Sequence, residues 1–263
     1  WPRSSGRTAM PTARPRPRMR HVPCSMACEE LCPPAFIPPA RDELIDGIRN
    51  ASGAAGPSTE SRALSEMLAQ AADAVSSELA PRALLKRAAV TGSEAGIVTG
   101  LEVSVASRML SRLLACMGHA HSIFGFAVTL GERLDALIAH TQRASLARAL
   151  FMDAAGSFLV ERYAAQVEDS LRGALASQGL ELSSRFSPGY CDWGLAHGQQ
   201  ELFRFLSPQT IGISLLPSGM MSPLKSVTGI CIAASRVPHR APCPFCQHHV
   251  CRYRRVDGNR LYC

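Results

Sequence analysis

The sequence has no uninterrupted run of about 18 apolar residues, the length a helix needs to cross a bilayer. Its most apolar region, 101–130, is broken by Arg108, Arg112, His119 and His121, so no transmembrane helix is expected and no membrane partner. No apolar stretch follows the positively charged N-terminus, so a secretory signal is not expected either, and the chain reads as cytoplasmic. Lysine is nearly absent. Lys86 and Lys225 are the two in the chain, and the other cations are arginines. Six of those, Arg3, Arg7, Arg14, Arg16, Arg18 and Arg20, lie in the first twenty residues, which hold no acidic residue. They account for all but about one unit of the net charge of +7. Nucleic acid is therefore not expected as a partner, and with so many alanines the arginine bias reads as GC-rich coding. Internal repeats are absent too.

What is present suits a globular protein. Hydrophobic residues make up 46% of 263 and charged residues 19%, enough for one sizeable domain with tails. Ten cysteines in a cytosolic chain do not argue for disulfides, and their clustering raises metal binding instead. Cys24, Cys28 and Cys32 repeat every four residues, which lines one helix face. The spacing is one residue too long for the Cys-x3-Cys-x2-Cys of radical S-adenosylmethionine enzymes. At the other end, Cys243, Cys246, Cys251 and Cys263, with His248 and His249 nearby, offer four soft ligands for zinc or an iron–sulfur cluster; free thiols on a tail are the alternative.

Residues 1–23 are rich in Pro, Arg and Ser without periodicity and read as disordered, and four prolines in 33–40 prevent a continuous helix. The composition divides the chain into a basic Pro-rich tail (1–40), a domain (41–240) and a Cys-rich tail (241–263). Within the domain, spacing predicts helices at 41–49, 60–79, 103–117, 131–140, 145–176 and 195–206, and strands at 95–100, 122–129, 181–185, 211–215 and 226–234. Val160, Ala164, Val167, Leu171 and Leu175 form the apolar stripe of the long helix, which Gly179 ends as a C-cap. Helices dominate early and strands late, which gives an α+β class.

Two segments can carry chemistry. In RFSPGYCDW (185–193), Pro-Gly after a strand marks a tight turn, with Gly at a φ > 0 position. Exposed turn amides, the Arg185 fork and the Tyr190 ring can hold a carboxylate and a purine together. The plain alternative is a structural turn with Arg185 in a surface ion pair. The second segment, 216–229, carries Met220, Met221 and Lys225, and is either a functional loop or a solvated connection.

These residues resemble a known family. RFSPGYCDW, the Gln199/Gln200-x-x-x-Phe203 pattern, IGISLLPSGMMSPLKSVTGI (211–230) and FGFAVTLGERLDALI (124–138) are similar to the activation, or reactivation, domain of cobalamin-dependent methionine synthase, in its short free-standing form. The resemblance covers roughly 84–235. Its most specific part is RxSPGY followed, about thirty residues later, by MxPxKSVxG.

The resemblance implies a helix-rich α+β domain around a twisted antiparallel sheet that binds S-adenosylmethionine and packs against the corrinoid of a partner. In that family, inactive cob(II)alamin takes an electron, usually from flavodoxin, and is methylated by S-adenosylmethionine. A flavodoxin or ferredoxin is thus the implied electron donor, and the chain is implied to be the reactivation subunit of a methyltransferase. The implied binding residues are Arg185, Ser187, Pro188, Gly189 and Tyr190, with Glu161 on the long helix approaching the ligand's amino group. By helical angle Glu161 borders the apolar stripe, and a partly buried carboxylate wants a cation. Asp153 is the second candidate, and a plain pairing of either with Arg162 or Arg148 is the alternative. No general acid or base is implied. The sequence departs from the family in three ways. The first sixty residues do not align, so the ligand-binding aspartate of the full-length enzymes has no counterpart. No Asp-x-His-x-x-Gly corrinoid loop occurs, so any cobalamin belongs to a partner. The Cys-rich tail lies outside the full-length pattern. A non-catalytic sensor or assembly protein that binds the same ligand or a corrinoid is the competing function.

Overall fold

The computed structural model describes residues 28–54 and 61–237. The expected tail at 1–23 and the four ligating cysteines Cys243, Cys246, Cys251 and Cys263 lie outside these described residues.

The architecture follows from strands whose two faces are both apolar. β5 (Ala120–Thr129) is the middle of the sheet, with β2 (Arg82–Glu94) on one edge and β9 (Ser226–Ala234) on the other, all antiparallel. β2 carries β1 (Glu29–Leu31) and β3 (Ile97–Gly100) along its other edge; β4 (Val103–Ala106) follows β3, and β6 (Glu181–Leu182) closes the far side against β9. Successive strand residues point to opposite faces. Phe124, Phe126 and Val128 of β5 and Cys231 and Ala233 of β9 face one core, while Ile123, Ala127, Ile230 and Ile232 face the other. The first core is covered by α1 (Arg41–Ser52), α2 (Arg62–Ser77), α4 (Glu132–Ala144) and the 31-residue α5 (Leu146–Ala176). The second is covered by α3 (Arg108–Cys116) and α6 (Leu195–Leu206). This is an α+β fold, as the order of elements predicts.

Two expectations shift, and one strand is present that the spacing does not predict. The apolar spacing at 103–117 belongs to a strand and then a helix: Val103 and Val105 are buried in β4, and Ser107 caps α3 by accepting from the Leu110 N–H at 3.0 Å. Strand β2 escapes a periodicity reading because Lys86 and Arg87 interrupt it. Those two side chains are satisfied by distant partners, Lys86 donating to the Phe205 carbonyl (3.0 Å) and Arg87 to Ser122 Oγ (2.8 Å). At 211–215 the chain forms a 3-10 turn (Pro208–Ile211) before β7 (Ser214–Leu215), which pairs with β8 (Met221–Ser222).

Residues 28–40, which composition alone assigns to a tail, lie on the domain. β1 pairs with β2, and the Pro-rich strap after it runs along α5. There the Phe36 ring sits 5.0 Å from that of Tyr163, whose hydroxyl donates to the Pro34 carbonyl. The Gln166 amide accepts from the Ile37 N–H (3.0 Å) and donates to its C=O (2.6 Å), an arrangement that satisfies backbone groups no strand reaches. No helix among the described residues is long and apolar enough to cross a membrane.

Candidate functional site

The site is built where the chain leaves β6 and runs on beside β9. Ser183 keeps the pairing alive, its N–H donating to the Ile232 carbonyl and its hydroxyl accepting from the Ile232 N–H, both at 2.9 Å. Phe186 then makes a two-way bridge with Ile230, at 2.8 and 2.9 Å. Strand-like alternation through this stretch sends Arg185 toward α5 and Phe186 to the opposite face. Phe186 stacks there on Trp193, with centroids 5.4 Å apart and planes 3° from parallel.

The chain between these two residues forms the turn. Gly189 has φ +87, a conformation that favours glycine, and its N–H donates to the Trp193 carbonyl at 2.8 Å. The Tyr190 N–H donates to the Ser187 carbonyl, and the Trp193 N–H to the Tyr190 carbonyl. Asp192 fixes the far end by accepting from Ser107 Oγ and from the Met109 N–H, so the turn is tied to the start of α3. Gly198 of α6 makes room for the whole segment, because a Cβ there would lie 2.8 Å from Pro188 Cβ and Trp193 Nε1.

Arg185 is the centre of the charge. It is 5% exposed, and its Nη2 donates to Glu161 Oε2 at 2.5 Å. Nε lies 3.8 Å from Glu168 Oε1, and the Arg185 backbone N–H donates to Glu168 Oε2 at 3.2 Å. Burial lowers the pKa of the guanidinium, and the two carboxylates outweigh that, so the group is held more firmly charged than an ordinary arginine. Arg185 Nη1, Ser187 Oγ and Trp193 Nε1 are buried without a hydrogen-bond partner. Each such donor costs about 1–3 kcal/mol; Trp193 Nε1 lies with Phe186 on the opposite face, and the two on the Arg185 side, Arg185 Nη1 and Ser187 Oγ, suit an acceptor-rich or anionic ligand.

The sequence-predicted residues thus fall together in part. Arg185, Ser187, Pro188, Gly189 and Tyr190 share the turn, and Glu161 reaches it from α5. Glu161 pairs with Arg185 rather than with Arg162 or Arg148; Arg162 is engaged by Glu43 at 2.5 Å. Asp153 sits elsewhere on α5, where it and Ser157 accept from Lys225 Nζ at 2.6 and 3.0 Å. Lys225 is buried in that pairing and does not present its charge on the surface. Tyr190, Leu195, Leu216 and Met220 are large exposed groups, and Leu195 lies against both Gly189 and Gly219, which joins the turn to the 216–220 loop. Glu168 and Asp192 were not singled out by sequence. Asp192 lies inside the motif, whereas Glu168 carries no local signal beyond being an acid on the α5 helix. Among the described residues no group of three or more His, Cys, Asp or Glu side chains is placed to hold a metal.

Fold and site together define an α+β domain with a buried arginine cradle at the edge of its sheet. A solved structure, described as the MetH reactivation domain bound to AdoHcy, superposes on this chain with a TM-score of 0.53. The two are 16% identical, and the match spans 82% of this chain and 80% of that one. At that identity the likeness establishes a shared fold. No protein-family model matches the sequence, and no curated protein matches it.

Proposed function

We propose that the protein binds S-adenosylmethionine at the 185–190 turn and supports reductive methylation, and so reactivation, of the cob(II)alamin form of a cobalamin-dependent methionine synthase or related corrinoid protein. The observation that carries this reading is Arg185, a buried guanidinium with an unpartnered Nη1, whose stem shares the space over Gly229 with the unpartnered Ser187 hydroxyl. It lies on a fold shared with a domain whose solved structure holds AdoHcy. Cradle and ligand are chemically matched. Arg185 takes the α-carboxylate, Glu161 the α-ammonium, and the Gly189–Tyr190 turn the adenosine side. S-adenosylmethionine supplies a sulfonium-activated methyl group. This chain's residues bind and orient it and exclude water, with no general acid or base. The corrinoid is carried by a partner, with flavodoxin or ferredoxin as electron donor. Tyr190, Leu195, Leu216 and Met220 present an apolar rim beside the cradle, suited to a large flat partner surface.

The test mixes the protein with its corrinoid partner in the cob(II) state, a low-potential reductant and methyl-labelled S-adenosylmethionine. Label should reach the corrinoid only when this chain is present. Arg185→Ala should weaken ligand binding by about 1.5–3 kcal/mol, the worth of a hydrogen bond to a charged group. Equal labelling without the protein overturns the reading. We further propose that Cys243, Cys246, Cys251 and Cys263 hold zinc or an iron–sulfur cluster. Anaerobic purification with metal analysis checks this, and metal-free protein with four titratable thiols in that segment rejects it.

A further inference from the structure

Arg185 reaches α5 across β9, and the strand residue beneath it is Gly229. We infer that Gly229 is a positioning residue of the cradle, whose missing side chain forms the lane through which the Arg185 stem passes. The inference rests on the proposed reading only for what Arg185 then binds.

Three observations carry it. A Cβ built on Gly229 would lie 2.8 Å from Arg185 Cγ, 2.8 Å from Ser187 Oγ and 3.1 Å from Arg185 Cδ. Approaches under 3 Å are not found between real Cβ atoms and their neighbours, so something must shift. Second, Gly229 is not among the residues of positive φ, so its backbone is open to any amino acid. A strand-interior glycine is less stable than alanine there, a cost its dihedrals do not explain and its surroundings do. Third, the Arg185 stem cannot slide aside. Its main chain is held at one end by the Phe186–Ile230 bridge and by the bond from the Arg185 N–H to Glu168. Its guanidinium is held at the other by Glu161 and Glu168. Gly229 faces the same side as its register partner Phe126, which is fully buried, so the main chain beneath the lane has no room to drop. A methyl group at 229 must therefore displace the guanidinium and the Ser187 hydroxyl, the groups with unpartnered donors. The lane sets where the charged fork stands, and with it the fit of a ligand's α-carboxylate.

The experiment compares wild type and Gly229→Ala by calorimetric titration with two probes. S-adenosylhomocysteine carries the amino-acid group, and 5′-methylthioadenosine lacks it. Gly229→Ala should bind S-adenosylhomocysteine at least tenfold more weakly while its affinity for 5′-methylthioadenosine stays at the wild-type value. Equal affinity for the first probe, or an equal fall for both, overturns the inference. A second measurement needs no ligand. In the wild-type background Gly229→Ala should lower the thermal midpoint, and in an Arg185→Ala/Ser187→Ala background the same change should leave it unaltered or raise it. A fall of the same size in both backgrounds, or a triple variant that fails to fold where the double variant folds, also overturns it. Wild type that binds neither probe rejects the proposed function and leaves the thermal comparison to decide the lane.

Discussion

Two ion pairs anchor loops to α5, and the residues in them are buried unequally. The Lys225 side chain is 9% exposed and that of Asp153 50%. Removing one partner of a buried pair is costly because it leaves the other charge uncompensated, by about 3–5 kcal/mol when that charge cannot reach water. Asp153→Ala leaves the Lys225 ammonium enclosed, with Ser157 as its remaining oxygen. Lys225→Met fills the same volume and frees a carboxylate that already faces solvent. Asp153→Ala should therefore destabilise the protein more than Lys225→Met, although the aspartate is the more exposed partner. Urea denaturation of both variants measures the order. Arg185 shows the same asymmetry, being 5% exposed against 42% for Glu161, so its charge depends on Glu161 more than the reverse.

At the scale of elements, the 185–193 turn and α3 are one unit through Asp192, which serves both. Its carboxylate bonds Ser107 and the Met109 N–H at the helix start. Asp192→Ala should cost about 0.5–2 kcal/mol, as loss of a helix cap does. Hydrogen exchange should accelerate at the first-turn amides of α3 and, in the same step, at the Gly189 and Trp193 amides. Exchange confined to α3 would show that turn and helix are independent. Elements of this kind differ in how legible they are. Helix α6 can be read to the residue because its apolar spacing is set by the one surface it buries, and strand β9 because both its faces are buried, which leaves a near-continuous apolar run bounded by Lys225 and Ser235. The long α5 is legible from its stripe and from Ser145, which caps it by accepting from the Arg148 N–H. β2 is not, because the groups that accept hydrogen bonds from Lys86 and Arg87 come from α6 and β5. The site divides the same way. Arg185, Ser187, Gly189 and Tyr190 lie in one short motif and can be picked out together, whereas Glu168 and Gly229 acquire their roles only when α5 is laid over β9.

For the whole molecule, the sheet is assembled from segments far apart in the chain, and its central strand depends on both. β5 is bonded along its length to β2, which precedes it, and to β9, the last strand of the described residues. Every β5 residue from Ser122 to Thr129 is buried. On the ribosome, residues 28–225 emerge before β9 exists, so β5 waits with one edge of backbone N–H and C=O groups open and both apolar faces incompletely covered. Such an edge is a template for pairing with another chain, and non-local pairing of this kind closes slowly. A chain stopped after Lys225 should therefore be recovered as aggregate, and supplying residues 226–237 as a separate peptide during refolding should raise the soluble yield. Soluble, monomeric recovery of the truncated chain would show that the helices alone protect the strand. The same dependence makes synthesis of β9 the step at which the nascent chain passes from an aggregation-prone intermediate to a sealed sheet. Gly229 sits within that strand, so the arginine cradle cannot form before the sheet of the described residues has closed on β9.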